Sequence, residues 1–241
     1  TLSILTAGDG TGAQGDIVSV SGKVAGTGSG TLTITDATIL GDSAKVKVTA
    51  TILKTSVSHK IKTTNLMKQV KVTDAVTHAF GRADVFNLIA VYDSESADTD
   101  ASTPELTVGT ITGTFTRGEK ITGSSSGATG RIIDTSSPIS FVARTGTFTT
   151  ADTITGASSG ATGLVSAVSL GSDVITSRYE LDTGQRDNFY DIARIVLKPG
   201  SSTPTGHLLV IYDYFEHGSG DVLTVDSYVD VADQMDYEDI P

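Results

Sequence analysis

The stretch "GTFTRGEKITGSSSGATG", residues 113–130, indicates the fold, because the chain repeats it as "GTFTTADTITGASSGATG" at residues 146–163. The two copies are identical at 13 of 18 positions and lie 33 residues apart. Each copy reads as three short strands separated by turns, beginning with "GTFT" as the first strand. Stacked solenoids need about three or more repeats, so two copies favour a small closed barrel or a sandwich built by duplication.

Segments outside the repeat also have strand patterns. Residues 31–36 alternate threonine with other side chains, and residues 44–53, "AKVKVTATIL", place lysine and valine on opposite faces. The run "GRADVFNLIAVYD" at 81–93 ends in continuous apolar residues, which predicts a strand buried on both faces. The run "HLLVIYDYF" at 207–215 predicts a core strand followed by a turn.

One short helix is compatible with the sequence, starting at Asp187 or Asn188, because apolar residues then recur at helical spacing. These residues are Phe189, Ile192, Ala193 and Val196. The fold class that we predict is all-β, with several small β-sandwich or barrel-like modules. It contains the duplicated 33-residue β repeat and at most one or two short helices.

The amino-acid composition of the chain changes on both sides of the repeat. We predict three regions: a Gly- and Thr-rich β region at 1–106, a tandem β-repeat module at 107–172, and a C-terminal β domain at 173–241. The apolar runs that flank the repeat end alike, in Tyr92-Asp93 and Tyr212-Asp213. We therefore expect the two outer regions to pack together as one β domain, with the repeat as an insertion.

Composition excludes several classes of protein and partner. The chain has 241 residues, no cysteine and a formal net charge of −11. Without cysteine there are no disulfides or thiolate metal sites, and synthesis in a reducing cytoplasm is favoured. The acidic balance argues against nucleic acid, because phosphate contacts need Lys and Arg. No apolar run is long enough to predict a membrane span, and no secretory signal is recognised. Since the chain starts at Thr1 rather than Met, we expect a piece of a longer protein.

Charge is distributed unevenly along the chain. The segment 43–73 has no acidic residue and seven lysines: Lys45, Lys47, Lys54, Lys60, Lys62, Lys68 and Lys71. After Lys198 there is no Lys or Arg, but there are nine acids: Asp213, Glu216, Asp221, Asp226, Asp230, Asp233, Asp236, Glu238 and Asp239. Two interpretations stay open. In the first, the two segments form two solvated faces of opposite sign. In the second, the basic segment of one copy meets the acidic segment of another.

Both copies of the repeat contain G-x-S-x-G, the nucleophile-elbow pattern of serine hydrolases, at 123–127 and at 156–160. That pattern needs a helix after the serine, together with a histidine and an acid. Here Gly and β-branched residues follow, and His207 and His217 are the only histidines downstream. We interpret both stretches as Ser/Gly-rich turns between strands. We predict no catalytic residue and no enzymatic activity.

Other candidate sites have simpler interpretations as well. The histidines form no H-x-x-x-H pair, so we predict no zinc site. Glu216, His217 and Asp221 read as a polar hairpin end. The acidic residues of 230–239 could offer oxygen ligands to calcium but lack EF-hand spacing, which favours a solvated tail and leaves calcium binding open. "GDGTGAQG" at 8–15 lacks the G-K-[ST] of a phosphate loop. We predict no cofactor and no metal.

The C-terminal third contains two distinctive strings, "QRDNFYD" at 185–191 and "YDYFEHGSGD" at 212–221. The segment that holds them resembles one found in large structural proteins of tailed bacteriophages, especially contractile-tailed phages of marine cyanobacteria. The 33-residue repeats are similar to modules of phage tail and fibre proteins. "ADVFNLIAVYDSES", 83–96, is similar to the stretch that precedes such repeats in them. The resemblance covers roughly residues 80–241.

The resemblance implies a virion structural protein of the tail, baseplate or fibre region, which acts through assembly and subunit packing near host attachment. It implies a location in the virion after synthesis in the host cytoplasm. The implied partners are other virion proteins and further copies of the chain, with a homotrimer favoured because fibre-like tail proteins commonly have threefold symmetry. The alternative is a carbohydrate-binding adhesin, in which the loop 94–105 and the repeat tips recognise a bacterial surface glycan.

Overall fold

The structure is a computed structural model that describes most of the chain, namely residues 2–21, 23–25, 30–36, 38–49, 53–73, 76–186, 191–224 and 227–228. The chain divides into two compact units, Thr1–Ser56 and Val57–Pro241. The described parts of both consist mainly of strands and turns, and a short 3-10 helix spans Thr176–Arg178. The all-β prediction is therefore confirmed.

The described part of the first unit contains five short strands: β1 Leu2–Thr6, β2 Ile17–Val18, β3 Val24–Ala25, β4 Thr33–Ile34 and β5 Lys45–Val48. Strand β1 lies between β2 and β5 in a three-stranded antiparallel sheet, and β3 pairs with β4. A small core of Leu2, Ile4 and Val18 is buried here. Lys45 and Lys47 of β5 are exposed, and Val46 between them packs against this core, as alternation in a strand requires.

Among the described residues of the second unit there are thirteen further strands, in three groups. Their bounds are β6 Lys62–Val72, β7 Thr77–Ala79, β8 Val85–Asp93, β9 Glu105–Thr112, β10 Lys120–Gly123, β11 Thr129–Asp134, β12 Ile139–Thr145, β13 Thr153–Gly156, β14 Thr162–Ser169, β15 Asp173–Val174, β16 Tyr179–Asp182, β17 Arg194–Leu197 and β18 Leu208–His217. Strands β9–β14 close into a barrel. The others form a four-stranded sheet, β15-β8-β18-β6, and a three-stranded sheet, β16-β17-β7.

The duplicated repeat forms the closed antiparallel barrel, in the order β10-β11-β12-β9-β14-β13. The first copy supplies β9, β10 and β11, and the second supplies the equivalent strands β12, β13 and β14. The barrel core has twelve buried residues, which are six equivalent pairs: Leu106 and Ile139, Val108 and Phe141, Phe115 and Phe148, Ile121 and Ile154, Ala128 and Ala161, Ile132 and Val165. Each copy therefore fills half of one shared interior.

The "GTFT" segments, predicted as strands, are irregular instead. Gly113 and Gly146 have φ angles of 84° and 65°, which are left-handed conformations that end the preceding strands. A Cβ at either glycine would lie within about 3.3 Å of the alanine at 161 or 128 in the other copy. The phenylalanine that follows each glycine turns into the barrel core.

Strands that precede and follow the barrel pair in one sheet. Strand β18 lies at its centre, antiparallel to β6 on one side and to β8 on the other. Most of β18 is buried, as predicted for 207–215, and the last five residues of β8 are buried as well. One face of this sheet packs with Tyr179 and Ile195 of the three-stranded sheet.

The barrel packs on the four-stranded sheet through a shared apolar cluster and one buried carboxylate. Ile133 and Val142 of the barrel join residues of β6, β8 and β18 in this cluster. Beside it, fully buried Asp213 accepts the backbone N–H of Met67 at 2.6 Å and lies 3.4 Å from the Arg131 guanidinium. Burial raises the pKa of Asp213, opposed by these contacts.

The short helix predicted from Asp187 or Asn188 is wrong in its described part. Residues 191–193 are not helical, and Arg194–Leu197 is strand β17, whereas 187–190 lie outside the described residues. Ala193 and Ile195 are both buried, which is the alternation of a strand. Pairing with β7 and β16 on its two sides holds this segment in a sheet.

Candidate functional site

Glu119 and Asp152 occupy equivalent positions of the two copies, and each binds the serine turn of the other copy. Asp152 Oδ1 accepts the backbone N–H groups of Ser125 and Ser126, both at 2.8 Å. Its other oxygen, Oδ2, accepts the Ser126 hydroxyl at 2.8 Å. Successive N–H groups of a turn form a concave anion site, and here a carboxylate of the same chain fills it.

The second turn is bound in the same way by Glu119. Glu119 Oε2 accepts the backbone N–H groups of Ser158 at 3.2 Å and of Ser159 at 3.0 Å. Both serine hydroxyls also donate to this carboxylate, at 2.9–3.0 Å. The longer side chain of Glu119 thus reproduces the contacts that Asp152 makes in the first copy.

Each acid also closes the turn from which it projects. The backbone N–H of Thr149 donates to Asp152 Oδ2 at 2.8 Å, and that of Thr116 donates to Glu119 Oε1 at 2.5 Å. Each carboxylate therefore joins a turn of its own copy to a serine turn of the other. Two side chains therefore hold four turns.

Hydrogen bonding keeps both carboxylates ionised although they are buried. Asp152 and Glu119 are 0% and 2% exposed. Burial alone would raise the pKa of Asp152, but hydrogen bonds from Ser126 and Thr149 outweigh it, and the net pKa is lowered. Burial also raises the pKa of Glu119, but hydrogen bonds from donors that include Thr116 outweigh it, and the net pKa lies below its usual value. Donors to the charged form favour that form.

Pairing between β10 and β13 places each acid beside the other copy's turn. The two strands are antiparallel, and Thr122 lies opposite Thr155, its own equivalent. An antiparallel pair centred on equivalent residues relates the copies by an approximate twofold axis. Because of this axis, the contact of Asp152 with the first copy's serine turn has a counterpart in the contact of Glu119 with the second copy's serine turn.

Glycines leave the space that the two carboxylates occupy. A Cβ at Gly123 would lie 2.8 Å from the Asp152 carboxyl carbon, and a Cβ at Gly156 would lie 2.6 Å from Glu119 Oε2. Real Cβ atoms are not found so close to other heavy atoms. The first glycine of each G-x-S-x-G therefore leaves room for the carboxylate of a buried acid.

The G-x-S-x-G stretches form turns that lead from β10 to β11 and from β13 to β14, as the sequence predicts. Gly127 and Gly160 have φ angles of 67° and 65°, which a glycine adopts readily. The central serine hydroxyls are engaged: Ser125 donates to the Ala151 carbonyl at 3.1 Å, and Ser158 donates to Glu119. No described histidine is hydrogen-bonded to either serine.

The other candidate groups lie apart from these turns. Glu216, His217 and Asp221 do not converge on one point, because each contacts a different partner, respectively Asn65, Asp84 and the backbone of Ser58. Within the described ranges, no group of three or more metal-ligating side chains could hold an ion. The whole acidic segment considered for calcium, 230–239, lies outside those ranges.

The loop 94–105 is held by specific contacts. Asp93, just before it, accepts the backbone N–H groups of Glu95, Thr205 and Gly206. At the tip, Asp100 contacts Lys71 at 2.5 Å. One lysine of the basic segment thus pairs with this loop.

The described residues also contain no helix long and apolar enough to cross a membrane.

Sequence reasoning missed the exchange of carboxylates between the copies. A signal was available, since "RGE" and "TAD" differ at every position yet both end in an acid at the same place in the repeat. Only the antiparallel pairing of β10 with β13 reveals which turn each acid reaches.

Comparison of the chain with protein-family models, with curated proteins and with solved structures finds no match in any of the three.

Proposed function

We propose that this chain is a virion structural protein of a tailed phage, a tail, baseplate or fibre component that acts through assembly and subunit packing. The observation that carries the proposal is the reciprocal binding of the serine turns by Glu119 and Asp152. The hydroxyls and carboxylates that could have formed a reactive site are used to tie two repeats into one closed barrel. Using these groups to hold the fold together favours a structural role for the protein.

The surface around the barrel supports a role in packing between subunits. Leu164 of β14, and Leu170 and Val174 close after it, are between 56% and 71% exposed. Apolar side chains grouped within one short stretch offer area that a neighbouring subunit could cover. The proposed neighbours are further copies of the chain, with a trimer favoured, and other virion proteins.

Immunogold electron microscopy tests this function. Antibodies raised against the purified chain are applied to intact virions of the phage that encodes it. Label at the tail, baseplate or fibres is the expected result. Absence of label on virions, together with recovery of the chain only from the particle-free lysate, would contradict the proposal.

The alternative function is recognition of a bacterial surface glycan. Its support is the loop 94–105, which is held near its start by the contact of Asp93 with Glu95 and further along by the Lys71–Asp100 pair. A fixed loop presents its remaining polar groups in one arrangement, which favours binding. A glycan array probed with the purified chain distinguishes the two functions, because a purely structural part gives no specific signal.

A further inference from the structure

Lys62 and Asp84 form a buried pair between two parts of the second unit that are distant in the chain. The Lys62 Nζ atom lies 3.0 Å from Asp84 Oδ1. The two side chains are 1% and 3% exposed. Lys62 begins β6, and Asp84 directly precedes β8, so the pair joins the two strands on either side of β18.

The surroundings of the pair are aromatic. Nζ lies 4.7 Å from the centre of the Tyr228 ring and 5.8 Å from that of Phe215. Phe86 stacks on Phe215 from the neighbouring strand, with ring centres 4.4 Å apart. These rings exclude water from the amine and the carboxyl. The absence of water strengthens every polar interaction there and makes isolated charges costly.

Two further polar groups contact the pair, one on each partner. The Tyr228 hydroxyl lies 3.1 Å from Nζ. His217 Nε2 contacts Asp84 Oδ2, the carboxyl oxygen that faces away from the lysine, and the His217 side chain is 40% exposed. The half-exposed His217 ring therefore lies between the buried carboxyl and solvent.

The backbone holds Asp84 in an unfavourable conformation. Its φ angle is 60°, in the left-handed region that residues with a Cβ seldom adopt. The backbone N–H of Phe215 donates to the Asp84 carbonyl at 2.9 Å and helps to maintain this geometry. Strained residues persist where the surrounding structure fixes them, and they cluster at functional sites.

We propose that the Lys62 amine and the Asp84 carboxyl condense within the folded chain into an amide, an intramolecular isopeptide bond that cross-links β6 to β8. Lysine acts as a nucleophile when it is desolvated beside a carbonyl carbon. The bond would replace a buried ion pair, whose desolvation is costly, by a neutral amide. This inference does not depend on the function proposed above.

The reaction is a balanced condensation without an oxidant or co-reactant. A proton first passes from the Lys62 ammonium to the Asp84 carboxylate, which leaves a neutral amine beside a neutral acid. The Nζ lone pair attacks Cγ, and the bond from Cγ to Oδ2 breaks. Two of the three ammonium protons leave with Oδ2 as one molecule of water. His217 supplies a proton to Oδ2 and regains one from Nζ by way of the carboxyl, and the Tyr228 hydroxyl orients the amine.

The charge state of Lys62 decides where this sequence begins. Burial lowers the pKa of Lys62, but hydrogen bonds to Tyr228 and Asp84 outweigh it, and the net pKa is raised. The ion pair is therefore the arrangement from which the reaction starts. Transfer of the proton within the pair therefore has to precede attack, because only the neutral amine is a nucleophile.

The exposed pair Lys71–Asp100 provides a comparison within the same chain. Its Nζ–Oδ2 distance is 2.5 Å, but the two side chains are 65% and 51% exposed. Water stabilises both charges there and disfavours the neutral amine and acid. Close contact alone therefore predicts no condensation, and Lys71 serves as a matched control for Lys62.

Intact-mass spectrometry of the purified protein, unfolded after prolonged incubation at neutral pH, tests the proposal. The expected mass lies below that calculated from the sequence by one water molecule. Proteolysis should release a branched peptide that links Lys62 to Asp84, with no cleavage after Lys62. A mass equal to the calculated one, with both residues recovered in linear peptides, would overturn the proposal.

Variants locate the bond and the proton donor. Lys62→Arg and Asp84→Ala should abolish the mass deficit, whereas Lys71→Arg should retain it in full. His217→Gln should slow its appearance by about tenfold or more, because it removes the group that contacts the departing Oδ2. A deficit that persists in Lys62→Arg would show that the water is lost elsewhere and would also overturn the assignment. Because the wild-type mass alone decides, variants that fail to fold leave the test intact.

Discussion

Glu119 and Asp152 lie 33 residues apart, and each carboxylate is bound by the serine turn that belongs to the other's copy of the repeat. Antiparallel pairing of β10 with β13 makes this exchange reciprocal. Both acids are buried, and both receive backbone N–H donors from two turns. The stability of the barrel should therefore depend strongly on these two side chains.

Asp152→Ala should lower the free energy of unfolding by about 2–4 kcal/mol, because it leaves the N–H groups of Ser125, Ser126 and Thr149 without their acceptor. Urea denaturation followed by circular dichroism measures the change. Asp173→Ala is the matched control, since Asp173 is exposed on β15, and it should change stability by less than about 0.5 kcal/mol. Equal effects of the two substitutions would contradict the role assigned to Asp152.

Gly156→Ala should destabilise the barrel by about 1–3 kcal/mol, because its Cβ would collide with Glu119 Oε2 and with the Ser159 hydroxyl. Gly109→Ala in β9 is the control, since its Cβ would meet only the Leu164 carbonyl, at 3.8 Å. The control should be neutral or slightly stabilising. Thermal unfolding of the two variants beside the parent chain provides the comparison, and a neutral Gly156→Ala would be inconsistent with the packing described.

Acid should weaken the barrel through Glu119 and Asp152. Their pKa values in the folded state lie below the ordinary values of 4.5 and 3.8. A lowered folded pKa means that the contribution is complete above the ordinary value and is lost as the pH falls below it. We expect the urea midpoint to be constant from neutrality to about pH 5 and to decline steadily below that. The double variant E119Q/D152N should show a shallower decline, and an unchanged slope would exclude these two groups as the cause.

Asp213→Ala should loosen the attachment of the barrel to the four-stranded sheet. It removes the buried acceptor of the Met67 N–H and leaves the Arg131 guanidinium without its carboxylate. Breaking a buried pair on one side costs about 3–5 kcal/mol. Hydrogen exchange should show faster exchange at Met67 and along β11 than in the first unit. Uniform protection across the second unit would argue against this role.

Salt should dissociate oligomers of the chain if the basic segment 43–73 of one copy meets the acidic segment of another. Exposed charges are screened over about 3 Å at 1 M salt, compared with about 10 Å at 0.1 M. Light scattering should therefore record a fall in mass as salt rises between these concentrations, whereas sucrose at equal osmolality should have no effect. A mass that does not respond to salt would leave the two solvated faces as the interpretation.

The sequence predicts the all-β class and the duplicated module because both follow from local patterns, the β-branched runs and the 33-residue period. The failure at β17 has a physical reason. Ile192, Ala193 and Val196 fit helical spacing, but Ala193 and Ile195 also fit the alternation of a strand, and pairing with β7 decides between them. The Lys62–Asp84 contact could not be predicted, since it depends on how β6 and β8 flank β18.

The exchange of carboxylates also means that one copy of the repeat is an incomplete folding unit. A chain with a single copy would have its serine turn unfilled and its acid unbound, and it could satisfy both only by meeting a second such chain. The barrel is in this sense a homodimer whose two subunits have been joined end to end. Because the two copies are covalently joined, the effective concentration of each copy for the other is permanently high. The outer surface of the barrel is then free for other contacts.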